Sequence, residues 1–285
     1  MTEEQPKRYT PDGQEVPPPS ENDVLYEQDD GFAWITLNRP LVLNAVDWSL
    51  RRGVGRALDQ AEADEEVRAI VLRGAGRAFC AGGDMQGSAE PDDGVETPSA
   101  MDLMMRIWMS PKPVVAAVRG HAVGQGCEWA GVCDMTIAAD DAKIGEIQIR
   151  HGFGVPILIT PFLASLKHAK ELLMLGSLVG ADEAMRMGLV NRVVPRDELF
   201  DEAAKVAKQF AALPPHGVRL NKYLVNRVYE LQAFREALAY HDDPVIQALS
   251  AEASSDAVGT DRMKVLREQG WNAFIKGRDE AFTGP

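Results

Sequence analysis

Lys112-Pro-Val-Val-Ala-Ala-Val-Arg-Gly-His-Ala-Val-Gly-Gln-Gly-Cys-Glu128 runs from an apolar stretch through closely spaced glycines to an acidic residue. Residues 113–118 read as a short buried strand, closed by Gly120. From Gly120 to Glu128 the chain reads as a turn that enters a helix. The same order occurs upstream: residues 69–72 are a short apolar run closed by Gly74 and Gly76, and Ala78-Phe-Cys-Ala-Gly-Gly-Asp84 follows. Phe32–Leu37 reads as an earlier strand, broken by Asn38-Arg39-Pro40, and residues 135–138 as a later one. Trp48–Ala63 has a helical pattern. Strands alternating with helical segments predict an α/β fold of βαβ units. From about Ala181 the pattern turns almost wholly helical, is broken at Pro214-Pro215 and is amphipathic over residues 218–239.

Residues 1–22 hold five prolines among charges and little apolar surface, so they are expected to be a disordered, dispensable tail. The expected organisation is that tail, an α/β core over 23–210 and a helical region over 211–285. Residues 87–98, rich in Gly, Ser, Pro and acidic side chains, read as a flexible loop. The net charge of -13 repels phosphate backbones and anionic lipid, so neither nucleic acid nor a membrane is an expected partner. Cys80, Cys127 and Cys133 are odd in number and contain no CxxC pair. They argue for reduced thiols rather than a disulfide framework, and no metal site is expected. No signal-like start and no apolar run of about 20 residues is present, so the expected location is the cytoplasm.

Both glycine-containing turns follow buried strands. Small residues let a ligand approach the backbone, and a helix N-terminus points free N–H groups at it. Two such turns can aim two amides at one oxygen and stabilise an oxyanion. A dinucleotide fingerprint fails on spacing: Trp129 stands where the third glycine should follow Gly124 and Gly126.

Phe79-Cys-Ala-Gly-Gly-Asp84 resembles a signature of the crotonase (enoyl-CoA hydratase/isomerase) family, and residues 112–128 with Cys133-Asp134 resemble its central one. Leu37-Asn-Arg-Pro40 with Leu43-Asn-Ala45 is similar to its early CoA-binding segment. Ala181-Asp-Glu-Ala184, Gly188-Leu-Val190 and Val193-Val-Pro195 resemble its helix–turn–strand, and Ala273-Phe274 with Arg278 and Phe282 its terminal helix. The blocks occur in family order from about Val24 to Phe282. The resemblance implies a ββα spiral core with a helical C-terminal part and an oxyanion hole made by the backbone amides of Gly83 and Gln125. It implies that a thioester enolate is stabilised there, with Glu128 as one catalytic acid and the second in the segment holding Glu146 and Gln148. It assigns substrate and CoA contacts to Arg39, Asn44, Ala45, Ala81, Asp84, Met85 and Phe274. Coenzyme A enters as part of the substrate, with no other cofactor, and the assembly implied is a homotrimer or a dimer of trimers.

The departures from the family pattern bear on chemistry. Gln148 occupies the second acid's position, with Glu146 two residues earlier. Glutamine cannot exchange a proton as a carboxylate does. An extended chain puts residues 146 and 148 on one face, and a helix separates them. Gln125 replaces the usual middle glycine, His151 is a candidate proton carrier, and Val42 and Gly277 stand where CoA-contacting lysines are usual. The helical face Met101, Met104, Met105, Trp108 and Met109 reads as core packing, or else as an adaptable wall for an acyl chain. Hydration is the family default, double-bond isomerisation fits a single carboxylate better, and thioester hydrolysis or C–C cleavage is a third chemistry. An acyl-CoA-binding protein with weakened catalysis is the alternative of another class.

Overall fold

The computed structural model describes residues 8–10, 12–86, 90–152, 158–238 and 243–282. Its main sheet has six strands in the order Arg192–Val194, Met135–Ala139, Val114–Val118, Ala69–Gly74, Phe32–Leu37, Val24–Asp29. All neighbours are parallel except the last pair, where Val24–Asp29 runs antiparallel to Phe32–Leu37.

Every residue of Phe32–Leu37 and of Val114–Val118 is buried, because both faces of the sheet are covered. On one face Phe32, Trp34, Val71, Val115 and Ile137 meet Leu199, Ala203 and Val206 of the helix Leu199–Ala211. On the other, Ile35, Leu37, Ile70, Leu72 and Ala116 join the larger core with Leu50 and Val54 of the helix Trp48–Ala63. This double coverage is why the strands read as unbroken apolar runs.

A second sheet crosses over the first turns. His121–Val123 pairs in parallel with Lys143–Gly145, which pairs antiparallel with Leu178–Gly180. It sets the segment after Gly120 beside residues 80–83, through a parallel bridge between Cys80 and Ala122.

Three expectations change. The N-terminal segment carries structure over its described part: Arg8–Tyr9 pairs with Glu15–Val16, Val16 is buried, and Ser20 and Asp23 form a capping box. Composition counts apolar area, whereas this segment is held by ladder bonds, a cap and an ion pair from Arg8 to Asp84. Residues 1–7 and 11 lie outside the described residues. The loop over 87–98 is pinned in part, since Arg52 donates to both Asp93 carboxylate oxygens at 2.7 and 3.1 Å and to Thr97 Oγ1 at 2.8 Å; residues 87–89 lie outside the description. The almost wholly helical C-terminal pattern is interrupted by the strand Arg192–Val194, where the family resemblance places one; its three partly buried residues are too few to set a period of their own.

The methionine face is core except at its end, where Met109 is 57% exposed. Met104 is fully buried, Met101 and Met105 pack against the core, and Trp108 stacks on Phe234 with ring centroids 4.3 Å apart. The amphipathic stretch becomes the helices Pro215–Glu230 and Phe234–Leu238, and Ala239 lies outside the described residues. Lys222 holds the first of these to the core by donating to Asp134 at 2.7 Å. Its other side exposes Leu220, Tyr223, Leu224, Val228 and Leu231.

Candidate active site

The turn before the site is built on Asn44. Leu43 and Asn44 have φ of 54° and 56°, and the fully buried Asn44 side chain bonds four backbone groups. Its oxygen accepts from Arg39 N–H at 2.9 Å, and its nitrogen donates to the carbonyls of Ala75, Ala78 and Phe79 at 3.0, 2.9 and 3.1 Å. Left-handed backbone suits asparagine better than most side chains. Asn44 therefore braces the Gly74–Phe79 turn. Arg39 is likewise buried, donating to Ala45 O at 2.9 Å and pairing with Asp47 at 2.9 Å and Asp84 at 3.2 Å. Phe274, 1% exposed, packs on His151 and Trp271. Arg39, Asn44 and Phe274 line neither cavity described below.

Residues 80–83 and 121–126 lie side by side. Cys80 N donates to His121 O at 2.9 Å and Val123 N donates to Cys80 O at 3.0 Å. The approach is close: a Cβ at Gly126 would come within 2.3 Å of Cys80 O. Gly82 and Gly124, with φ of 92° and 53°, turn the two segments toward each other. Gly83 N–H donates to no acceptor among the described residues, and Gln125 opens the helix Gln125–Val132, so its N–H has no partner within the helix. The Gln125 side chain bends back toward the other turn, its Oε1 3.6 Å from where a Cβ of Gly83 would stand.

A cavity of about 580 Å³ opens on these amides, lined by Gly83, Gln125, Gln148 and His151 with Trp48 and Met85 among its apolar walls. It meets a second cavity of about 570 Å³ at Ala81, Gly83, Asp84 and Met85, and Ala45 lines the second. Trp48, Arg51 and Ile147 in the first, and Arg8, Arg77 and Trp271 in the second, carried no sequence signal of ligand contact.

The two acids converge on Gln148. Its Nε2 donates to Glu146 Oε2 at 3.0 Å and stands 3.4 Å from Glu128 Oε1. Thr160 Oγ1 donates to Glu146 Oε1 at 3.0 Å. Ile147 caps the short helix Gln148–His151, so the chain bends between 146 and 148 and their side chains still meet. Gln148 lines the first cavity, while Glu128 and Glu146, both 0% exposed, lie behind it. Glu128 Oε2 and Gln148 Oε1 are buried without hydrogen-bond partners.

Burial, and then the Glu146 charge, holds the Glu128 carboxyl well above the usual range. Burial also pushes Glu146 up to about 7, opposed by hydrogen bonds from Gln148, Thr160 and the Cys127 thiol. With three donors Glu146 is the better holder of charge, and Glu128 keeps the proton. His151 is pushed down to about 4 by burial and by Arg278, whose Nη1 lies 2.9 Å from its Nε2. It is a neutral imidazole near pH 7, and a weakly basic one. Among the described residues no group of His, Cys, Asp and Glu side chains is placed to hold a metal ion, and no helix is long and apolar enough to cross a membrane.

The family model for enoyl-CoA hydratase/isomerase matches residues 27–283. The chain is 33% identical over 246 residues to a short-chain-enoyl-CoA hydratase of Clostridium acetobutylicum, covering 83% of this chain and 93% of that protein. It is 33% identical over 265 residues to a probable enoyl-CoA hydratase of Mycobacterium bovis, covering 91% and 97%. The crystal structure of an enoyl-CoA hydratase/isomerase from Xanthobacter autotrophicus Py2 superposes with a TM-score of 0.81 at 36% identity, covering 92% of this chain and 99% of that one.

Proposed function

The chain belongs to the enoyl-CoA hydratase/isomerase family, with its crotonase fold, and from that premise we propose that it moves a proton at the carbon chain of an enoyl-CoA thioester through an enolate. The observation that carries this reading is the pair of backbone amides, Gly83 and Gln125, on one cavity wall beside Gln148, with Glu128 directly behind that side chain. A thioester carbonyl held by both amides makes the adjacent carbon acidic, because its conjugate base is stabilised by the same donors. Glu128 is the group that exchanges the proton once substrate draws the Gln148 amide away from it. A carboxyl with a raised pKa is a strong base when ionised and an available acid when not.

Double-bond isomerisation is favoured over hydration, because the side chain lining the cavity beside the amides is Gln148 rather than a second acid, and of the two carboxyls behind it Glu146 is tied on both oxygens by Gln148 and Thr160 while Glu128 keeps one oxygen free of partners among the described residues. With its own proton first released to solvent, the Glu128 carboxylate takes the proton from the α-carbon as electrons move onto the carbonyl oxygen. The same proton returns at the γ-carbon as that oxygen reforms its double bond. No co-reactant is consumed, and coenzyme A is needed only as the substrate's carrier. Wild type should therefore convert a 3-enoyl-CoA to the conjugated 2-enoyl-CoA, seen as a gain in ultraviolet absorbance, and hydrate a 2-enoyl-CoA poorly. The double variant Gln148→Glu with Glu146→Gln keeps the count of carboxyls and moves one to the wall. It should raise hydration about 10²-fold, the lower range for one general acid–base group. Efficient wild-type hydration, unaltered in Glu128→Gln, would sink this assignment.

The exposed stripe of Leu220, Tyr223, Leu224, Val228 and Leu231 supports self-association, as a trimer or a dimer of trimers working in the cytoplasm. Mass photometry at micromolar concentration should give the mass of three or six chains, and Leu224→Asp should lower it. A stable wild-type monomer would reject the assembly.

A further inference from the structure

The second cavity has walls from distant parts of the chain. Arg8, Tyr9 and Thr10 come from the N-terminal hairpin, Trp271 from the start of the helix Trp271–Asp279, and Arg77 from the turn before Ala78. Because it joins the first cavity beside Gly83, a ligand whose thioester sits at the two amides leaves by this groove. Two guanidinium groups and two aromatic rings thus line one groove of a chain with a net charge of -13. Arg8 and Arg77 are its cations among the described lining residues, and Val42, in the same wall, supplies none.

Arg8 is held in place for a ligand. Its Nη1 donates to both oxygens of Asp84, at 2.9 and 2.7 Å, and the Asp84 side chain is only 1% exposed. Its Nε and Nη2 have no hydrogen-bond partner among the described residues. A guanidinium fixed by a buried carboxylate, with donors left over, matches a phosphate oxygen better than a mobile lysine does. Tyr9 and Trp271 add flat faces suited to a purine base.

We propose that the N-terminal hairpin is the outer wall of a nucleotide-diphosphate groove, with Arg8 bonding a phosphate at the carrier end of the acyl-CoA thioester. This rests on the acyl-CoA reading above. The competing account is that Arg8 merely braces Asp84 and, through it, the neighbouring Gly83 amide.

Two substrates separate these accounts: an enoyl-CoA thioester and the N-acetylcysteamine thioester of the same acyl group, which ends before the groove. In Arg8→Ala, kcat/KM for the CoA thioester should fall about tenfold relative to that for the short thioester, as loss of one charge-assisted bond gives. The change should lie in KM, and Arg8→Lys should recover part of it. Binding of free adenosine 3′,5′-diphosphate, measured by calorimetry on the same proteins, should weaken by a similar factor. An equal fall with both thioesters would make Arg8 a brace and overturn the proposal, as would no change with either. If wild type turns over neither thioester but binds the diphosphate in an Arg8-dependent way, the chemistry proposed above fails and the groove stands.

Discussion

Glu128→Gln should lower turnover of an enoyl-CoA thioester about 10²–10⁴-fold, the range for a lost general acid–base group. The substitution keeps the shape of the side chain, and the carboxyl it removes is one that burial already holds neutral. Its buried Oε2 has no partner to lose. The melting temperature should therefore hold or rise while the rate collapses, which separates chemistry from folding. Glu146→Gln should be milder in rate, because both Glu146 oxygens are engaged, by Gln148 and Thr160, so that its part is to fix Gln148 from behind. It should instead alter the response of stability to pH. Burial lifts Glu146 from 4.5 to about 7. At low pH both folded and unfolded chains are protonated there, and the raised value has no cost. As pH climbs from about 4.5 to about 7 the unfolded chain sheds this proton first, so the Glu146 contribution to folding stability falls across that window and then levels, while the raised Glu128 carboxyl adds a fall of its own. Glu146→Gln should flatten that part of the profile. A Glu128→Gln enzyme with wild-type turnover would remove Glu128 from the mechanism.

Gly126→Ala should damage rate and fold together. The new methyl would lie 2.3 Å from Cys80 O and 2.8 Å from Cys80 Cβ, and these atoms cannot swing aside. Cys80 is fully buried and tied on both sides to His121 and Val123. Forcing a methyl into such packing costs about 1–3 kcal/mol. The relief available is to part the segments 80–83 and 123–126, which carry the Gly83 and Gln125 amides. Loss of one oxyanion donor typically costs about 10²–10³-fold in turnover. Gly217→Ala is the control: its Cβ would meet only Pro214 Cβ, at 3.9 Å, and a helical glycine replaced by alanine gains up to about 1 kcal/mol. Calorimetry and steady-state rates on the two variants should diverge. Wild-type turnover in Gly126→Ala would show that the hole is not made by these two segments.

The strands at 69–74 and 114–118 were legible because both faces of the sheet are covered and no polar residue interrupts the centre. The paired turns were legible because their glycines are forced, by left-handed φ at Gly82 and Gly124 and by contact at Gly126. What stayed hidden depends on distance in sequence. Arg8 meets Asp84 across 76 positions, and nothing local in a proline-rich tail announces an ion pair. Asn44 has the look of a ligand contact, yet its bonds go to the backbone of the following turn. The relation of Glu146 to Gln148 turned on one bend at Ile147, which neither a strand nor a helix pattern describes.

The mixed hand of the main sheet bears on how the protein keeps company at high concentration. A sheet closed on neither side offers two rows of unpaired backbone groups, the usual template for runaway strand addition and fibril growth. One border here is Arg192–Val194, three residues long and so a poor template. The other is Val24–Asp29, whose antiparallel course carries Glu27 and Asp29 to the rim, with Asp30 following. An incoming strand of a second copy would have to lay like charges beside them. Neutralising that rim, as in Glu27→Val with Asp29→Thr, would strip Arg73 and Lys208 of a carboxylate partner and turn the border into a seed for aggregation.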